Sequence, residues 1–214
     1  MTAIKYLILD LMLIRGILKY YILFPLVFIL LLKKESAVFA LGYIFFILLF
    51  IAPSPFTGES KEKDDSFYYI LPSKISSIVL GRYLYLLSAI IIIWLIGGTA
   101  MFYLYNSNEV NRMELWTICF SGVAATLISF LQYPLYYKFG MEKGRILVLG
   151  VPAMAVFILP TLLNNYLPEN FLAELVNKYL NNVTNLIAIS GAIISIVGFI
   201  SFKVSCSICK AKEF

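Results

Sequence analysis

Cys206-Ser-Ile-Cys209 is the spacing in this chain that comes nearest to metal chemistry, and it supplies half a zinc site. Two tails would have to meet to complete four thiolates, and nothing in the sequence brings them together. Two reduced cysteines are the simpler reading, with any role for Cys206 and Cys209 left open. The chain contains no histidine, which removes the commonest metal ligand and the commonest general base. No G-x-x-x-x-G-K-[ST] loop is present to cradle a nucleotide. The chain itself is therefore not expected to be an enzyme, and no catalytic or metal-binding residues are assigned. No ionisable residue lies in the middle of an apolar run, where Gln132 is the most polar candidate. Machines driven by protons or voltage usually carry such residues, so any energy for transport must enter through a partner. An aromatic series offers a different chemistry. Phe39, Tyr43, Phe46 and Phe50 recur at i, i+4, i+7 and i+11, within roughly 60° of one helix face. Such a stripe suits either a path for apolar peptide surface or contact with lipid and neighbouring helices.

The elements that must position these residues are helices in a bilayer. The chain is 61% hydrophobic and 14% charged over 214 residues, and a soluble fold of that size has too little interior to hide so much apolar surface. The net charge of +5 forms no basic stripe with interleaved aromatics, so nucleic acid is not an expected partner. Six apolar runs predict six transmembrane helices: Ile17–Leu32, Ala37–Ala52, Tyr83–Tyr105, Leu115–Tyr137, Ile146–Leu163 and Val183–Phe202. The first two are short for a hydrocarbon core of about 30 Å. Residues 1–19 place Lys5, Arg15 and Lys19 on one side and Asp10 on another, as in a helix lying in the membrane interface; the alternative is the start of one long tilted span. Pro25, Pro134, Pro152 and Pro160 mark spans that bend. With the N-terminus inside, thirteen Lys and Arg fall on the cytoplasmic side and four on the other. Both termini are thus expected in the cytoplasm.

Residues 53–82 form the longest charged interruption. Glu59-Ser-Lys-Glu-Lys-Asp-Asp65 is solvated and places acids at the start of a short helix. Phe67-Tyr-Tyr-Ile-Leu71 sets an apolar patch beside that charge, and Pro72 ends the turn. Ser73 can cap a second helix leading into Gly81-Arg82-Tyr83 and the third span. A loop that only returned the chain would not need these bulky apolar residues. Docking of a partner protein is favoured over a dip of Phe67–Leu71 into the headgroups.

The stretch Lys63-Asp-Asp-Ser-Phe-Tyr-Tyr-Ile-Leu-Pro72, with Ser73-Lys74 and Ile78-Val-Leu-Gly-Arg-Tyr83, resembles the first cytoplasmic loop of small ABC-2 type permeases. An acidic start, a Leu-Pro pair, a basic residue and a V-L-G-[RK]-Y run carry the resemblance, and the span layout matches over nearly the whole chain. Within that family the chain is most similar to permeases of exporters for phenol-soluble modulins, which are amphipathic peptides; related permeases serve antimicrobial-peptide resistance.

The resemblance implies an all-α integral membrane fold, a single permease domain over residues 1–214, with six spans, an interfacial helix in 1–19 and a cytoplasmic coupling helix in 53–82. A short external helix in 164–182 completes it, with Phe171, Leu172, Leu175, Val176 and Tyr179 on one face. It implies two copies of the chain in a bacterial cell membrane with two cytoplasmic ATPase subunits, which hold the ATP and Mg2+. Carried over by residue, the coupling segment is Asp64, Asp65, Phe67, Tyr68, Leu71 and Pro72. A second contact would come from Glu142, Lys143 and Arg145 in the loop Lys138–Arg145, unless those cations are only a topology anchor. The substrate path would use Phe39, Tyr43, Phe46 and Phe50 together with Phe157. A non-transporting immunity or scaffold protein that only binds partners is the rival reading.

Overall fold

Helices whose whole girth is apolar need no amphipathic face, because lipid accepts whatever the protein does not bury. The computed structural model describes residues 3–8, 10–12, 37–56, 75–107, 110, 112–166 and 183–212, and every regular element among them is helical. An N-terminal helical segment covers residues 3–8 and 10–12. It is followed by α1 (Ala37–Ile51), α2 (Ile75–Asn106), α3 (Arg112–Tyr166) and α4 (Val183–Lys212). The stretches Ile75–Asn106, Glu114–Met141 and Ala188–Ala211 are each long and apolar enough to cross a membrane, and Leu41–Phe56 is a shorter apolar helix. The run Ile146–Leu163 is also helical, within α3. The expected first span and the expected coupling and external helices lie outside the described residues.

Two expected boundaries move. α3 is two helices joined at Gly140, whose φ of 76° and ψ of 174° belong to a region that only glycine enters without strain. A Cβ added at Gly144 would lie 3.4 Å from the Tyr136 Cα. In an uninterrupted helix those positions would be separated by a rise of about 12 Å, so the chain doubles back at Gly140. The expected loop Lys138–Arg145 is therefore a helical hairpin turning on one glycine. The last helix does not end near Phe202 either. α4 continues to Lys212, so Cys206 and Cys209 lie on a packed helix rather than a loose tail, and Cys209 is buried.

Tertiary packing is aromatic and close. Phe45 of α1 is fully buried and wedges between α2 and α3, where a Cβ at Gly97 or Gly122 would come within 2.8 or 2.9 Å of its ring. Trp94 meets Phe45 at 4.9 Å between ring centres and donates from its indole nitrogen to the Thr126 hydroxyl at 3.1 Å. α4 is fastened by a buried hydroxyl chain. Ser201 donates to the Phe130 carbonyl of α3, and Tyr83 Oη lies 2.6 Å from Ser201 Oγ and 2.9 Å from Ser205 Oγ. With the Ser201 proton committed to the carbonyl, Tyr83 donates to Ser201 and accepts from Ser205.

Candidate functional site

Phe56 and Ile75 are the described residues on either side of the segment 57–74, and both of its ends are rooted at one buried cluster. α1 ends at Ile51, and the chain then makes a further helical turn at Ser54–Phe56. Ser54 Oγ caps the Phe50 carbonyl at 3.3 Å, and the Phe56 amide donates to the Pro53 carbonyl at 2.9 Å. This turn delivers the Phe56 ring into a box formed by Tyr133, Tyr136 and Tyr137 of α3, with ring centres 5.2, 5.4 and 5.1 Å away. From the other side of the segment, α2 brings Arg82, whose guanidinium carbon lies 4.6 Å from the Phe56 ring centre and 5.5 Å from that of Tyr137. Arg82 is only 3% exposed.

Hydroxyl groups tie the same place together. Tyr133 donates to the Ala52 carbonyl at 3.2 Å and to the Arg82 carbonyl at 3.3 Å. Tyr85 donates to the Ile51 carbonyl at 3.2 Å. The Ile51 and Ala52 oxygens lie at the end of α1, where helix geometry leaves carbonyls without intrahelical partners, whereas the Arg82 oxygen lies within α2. The N-terminal helical segment crosses here too. A Cβ at Gly81 would stand 2.6 Å from Tyr6 Cβ and 2.9 Å from the Ala3 carbonyl oxygen, so glycine is what permits the crossing. Tyr6 and Asp10 of that segment are buried, while Ile4, Ile8, Leu11 and Met12 are exposed. An exposed apolar face over a buried acid suits a helix whose outer side meets lipid.

The sequence-predicted positions distribute unevenly. Asp64, Asp65, Phe67, Tyr68, Leu71 and Pro72 lie outside the described residues. Lys143 is exposed, directly after the Gly140 turn, and Glu142 and Arg145 share its helix, though their side chains lie outside those described. Phe39 and Phe157 are likewise helical positions whose side chains are not described. Tyr43, Phe46 and Phe50 do form a ladder, with centroid separations of 6.4 Å and then 5.3 Å. Phe46 is 46% exposed, whereas Leu41, Ile44, Phe45 and Leu48 of the same helix are buried. The stripe thus faces away from the packed core. Gln132 is buried, and its carbonyl oxygen meets no hydrogen-bond donor among the described residues.

Sequence reasoning missed the cluster itself. The cation asymmetry puts Arg82 on the cytoplasmic side without giving it a partner, and the apolar run Leu115–Tyr137 takes in Tyr133, Tyr136 and Tyr137 as the end of a span. A usable signal existed: tyrosines at i, i+3 and i+4 share one helix face, and Asp10 stands apart from the cations of its own segment. Among the described residues, no group of three or more His, Cys, Asp or Glu is placed to hold a metal.

A model of the ABC-2 family transporter protein matches residues 6–210. Neither the search of curated proteins nor that of solved structures found a match. The family match takes in most of the N-terminal segment, the segment 57–74 and almost all of α1 through α4. Three long apolar helices and a family match over nearly the whole length point the same way, and this chain belongs to the ABC-2 transporter family as a multi-pass membrane protein on the permease side of an ABC transporter.

Proposed function

We propose that two copies of this chain form the membrane part of an exporter for amphipathic peptides, and that each copy docks one cytoplasmic ATPase subunit through residues 57–74. One observation carries the reading: a segment combining an acidic run with Phe67–Leu71 has both ends rooted in a buried cluster of Phe56, Arg82 and α3 tyrosines. A loop used only to return the chain has no need of such a footing. Closure of the ATP-bound subunits draws the two coupling segments together, and the spans around a shared cavity narrow it. ATP and Mg2+ belong to the ATPase subunits. The resemblance to modulin permeases favours a peptide cargo, and the Tyr43–Phe46–Phe50 ladder, with Phe46 exposed and its two neighbours half-buried, is suited to apolar peptide surface. The cation asymmetry supports a cytoplasmic position for residues 57–74.

The test is the double substitution Tyr68→Ala with Leu71→Asp. Tyr68 and Leu71 lie three residues apart, a spacing that would put them on one face of the expected coupling helix. Burial of such anchors at an interface is worth about 2 kcal/mol or more, roughly 30-fold in affinity. The variant should stay folded yet lose copurification of the ATPase. A well-expressed variant that keeps its ATPase and its export would reduce the segment to an interfacial anchor. A wild-type chain that binds partners without any ATP-dependent transport would favour a scaffold.

A further inference from the structure

Residues 57–74 must act on helices they do not form, and the described contacts show where that action can pass. Ala52 lies at the end of α1 before the segment and Arg82 two turns into α2 after it, and the single hydroxyl of Tyr133 reaches the carbonyls of both, at 3.2 and 3.3 Å. The Phe56 ring lies between that tyrosine, at 5.2 Å, and the Arg82 guanidinium, at 4.6 Å. Tyr133 stands on the last turns of α3 before it doubles back at Gly140. A displacement carried into the end of α1 at Ala52 and Phe56, or along α2 as far as Arg82, is therefore felt at Tyr133. If the ends were joined to the bundle by chain alone, motion in the segment could dissipate within it. The N-terminal segment closes the same place from the side, with Tyr6 against Gly81.

On the basis of the function proposed above, we infer that Arg82 and Tyr133 are positioning residues for coupling: a clasp that makes the α3 hairpin move with residues 57–74. The Tyr133 hydroxyl is shared between two carbonyls, so each arm is weaker than a single well-directed bond. Such a bond holds register between α1, α2 and α3 while allowing one arm to lengthen as the other shortens. The planar guanidinium stacked on Phe56 permits sliding in the same way, which an ammonium on a flexible stem does not reproduce.

The experiment uses the complete complex of the chain with its ATPase in lipid nanodiscs. Spin labels are placed at Phe139→Cys and Lys210→Cys, two exposed positions on α3 and α4, in a background lacking Cys119, Cys206 and Cys209. The distance between labels is read with and without ATP, Mg2+ and vanadate, so that no cargo is needed. The wild-type clasp should show a distance change on trapping. Tyr133→Phe removes the hydroxyl alone, and should keep the ATPase attached and its hydrolysis within about twofold while the change falls to less than about half. Arg82→Lys should fall between the two. An unaltered distance change in Tyr133→Phe overturns the clasp, as does an attached wild-type ATPase with no change on trapping. Parallel loss of attachment, hydrolysis and distance change also overturns it, because that pattern belongs to a purely structural role. A wild-type chain that retains no ATPase overturns the function beneath it, and the clasp with it.

Discussion

A guanidinium carried out of water costs several kcal/mol unless its surroundings answer its charge, and Arg82 shows how this chain answers it. The rings of Phe56 and Tyr137 present their faces to the cation, contacts worth about 2 kcal/mol when desolvated. The acid of Asp10, on the segment that crosses α2 at the neighbouring Gly81, is buried as well. The adjacent residue sets the remaining condition. At Gly81 an added Cβ would meet Tyr6 Cβ at 2.6 Å and the Ala3 carbonyl at 2.9 Å, and a backbone atom cannot swing aside as a side-chain tip can. Gly81→Val should therefore lift the N-terminal segment off α2 while leaving the α2–α4 packing in place. Tryptic cleavage after the exposed Lys5 should speed up about tenfold or more, the consequence of a local opening made easier by about 1.4 kcal/mol. Unchanged cleavage in a folded variant would show that the segment is not held there.

Helices in lipid gain nothing from hiding apolar surface from one another, so fit and hydrogen bonds must decide their arrangement. α1 is held by fit, with Phe45 filling the space that Gly97 and Gly122 leave. α4 is held by hydroxyls, through Tyr83, Ser201 and Ser205 and the Phe130 carbonyl. Since the Ser201 proton goes to Phe130, loss of either Tyr83 or Ser201 hydroxyl disturbs the other's bonding. A double-mutant cycle of Tyr83→Phe and Ser201→Ala should show a coupling energy of about 0.6–1.7 kcal/mol, the range for hydrogen bonds between membrane helices. Unfolding of the purified chain in mixed micelles supplies the measurement. Additive losses would mean that Tyr83 and Ser201 act independently and that packing alone seats α4.

Across the whole molecule, one end of the bundle gathers the N-terminal segment, the footing of residues 57–74, the Gly140 turn and the last turns of α4. Contacts at Gly81, Phe56, Tyr136 and Ser205 link these parts. Ser107 lies at the far end of α2, and Met101 meets Cys119 toward that end, with their sulfurs 3.8 Å apart. The proposed topology puts that end, with its excess of Lys and Arg, in the cytoplasm. Impermeant reagents should therefore reach labels at Lys61 and Lys143 only from the cytoplasm, and one at Glu174 only from outside. Reversed accessibility at any two of these positions would invert the arrangement.

The apolar runs, the charged interruption at residues 53–82 and the V-L-G-R-Y pattern were enough to establish a helical membrane protein and point to its family. Hydropathy is a sum over neighbours in sequence, and spans and loops are local properties of that kind. Inward and outward faces are not. Lipid and protein interior are both apolar, so Phe45, which is buried, and Phe46, which is exposed, look alike in the sequence. Arg82 and Cys209 seemed to belong outside the core because their surroundings come from residues distant in the chain. Arg82 needs Tyr137 and Phe56, and Tyr83 needs Ser201 and Ser205. A loop at Lys138–Arg145 was legible in the break between two apolar runs, but that it narrows to a turn on Gly140 between helical neighbours is shown only by the backbone angles. What tertiary structure alone decided was which polar groups the bundle encloses, since a buried charge or hydroxyl is tolerated only where distant residues converge to satisfy it.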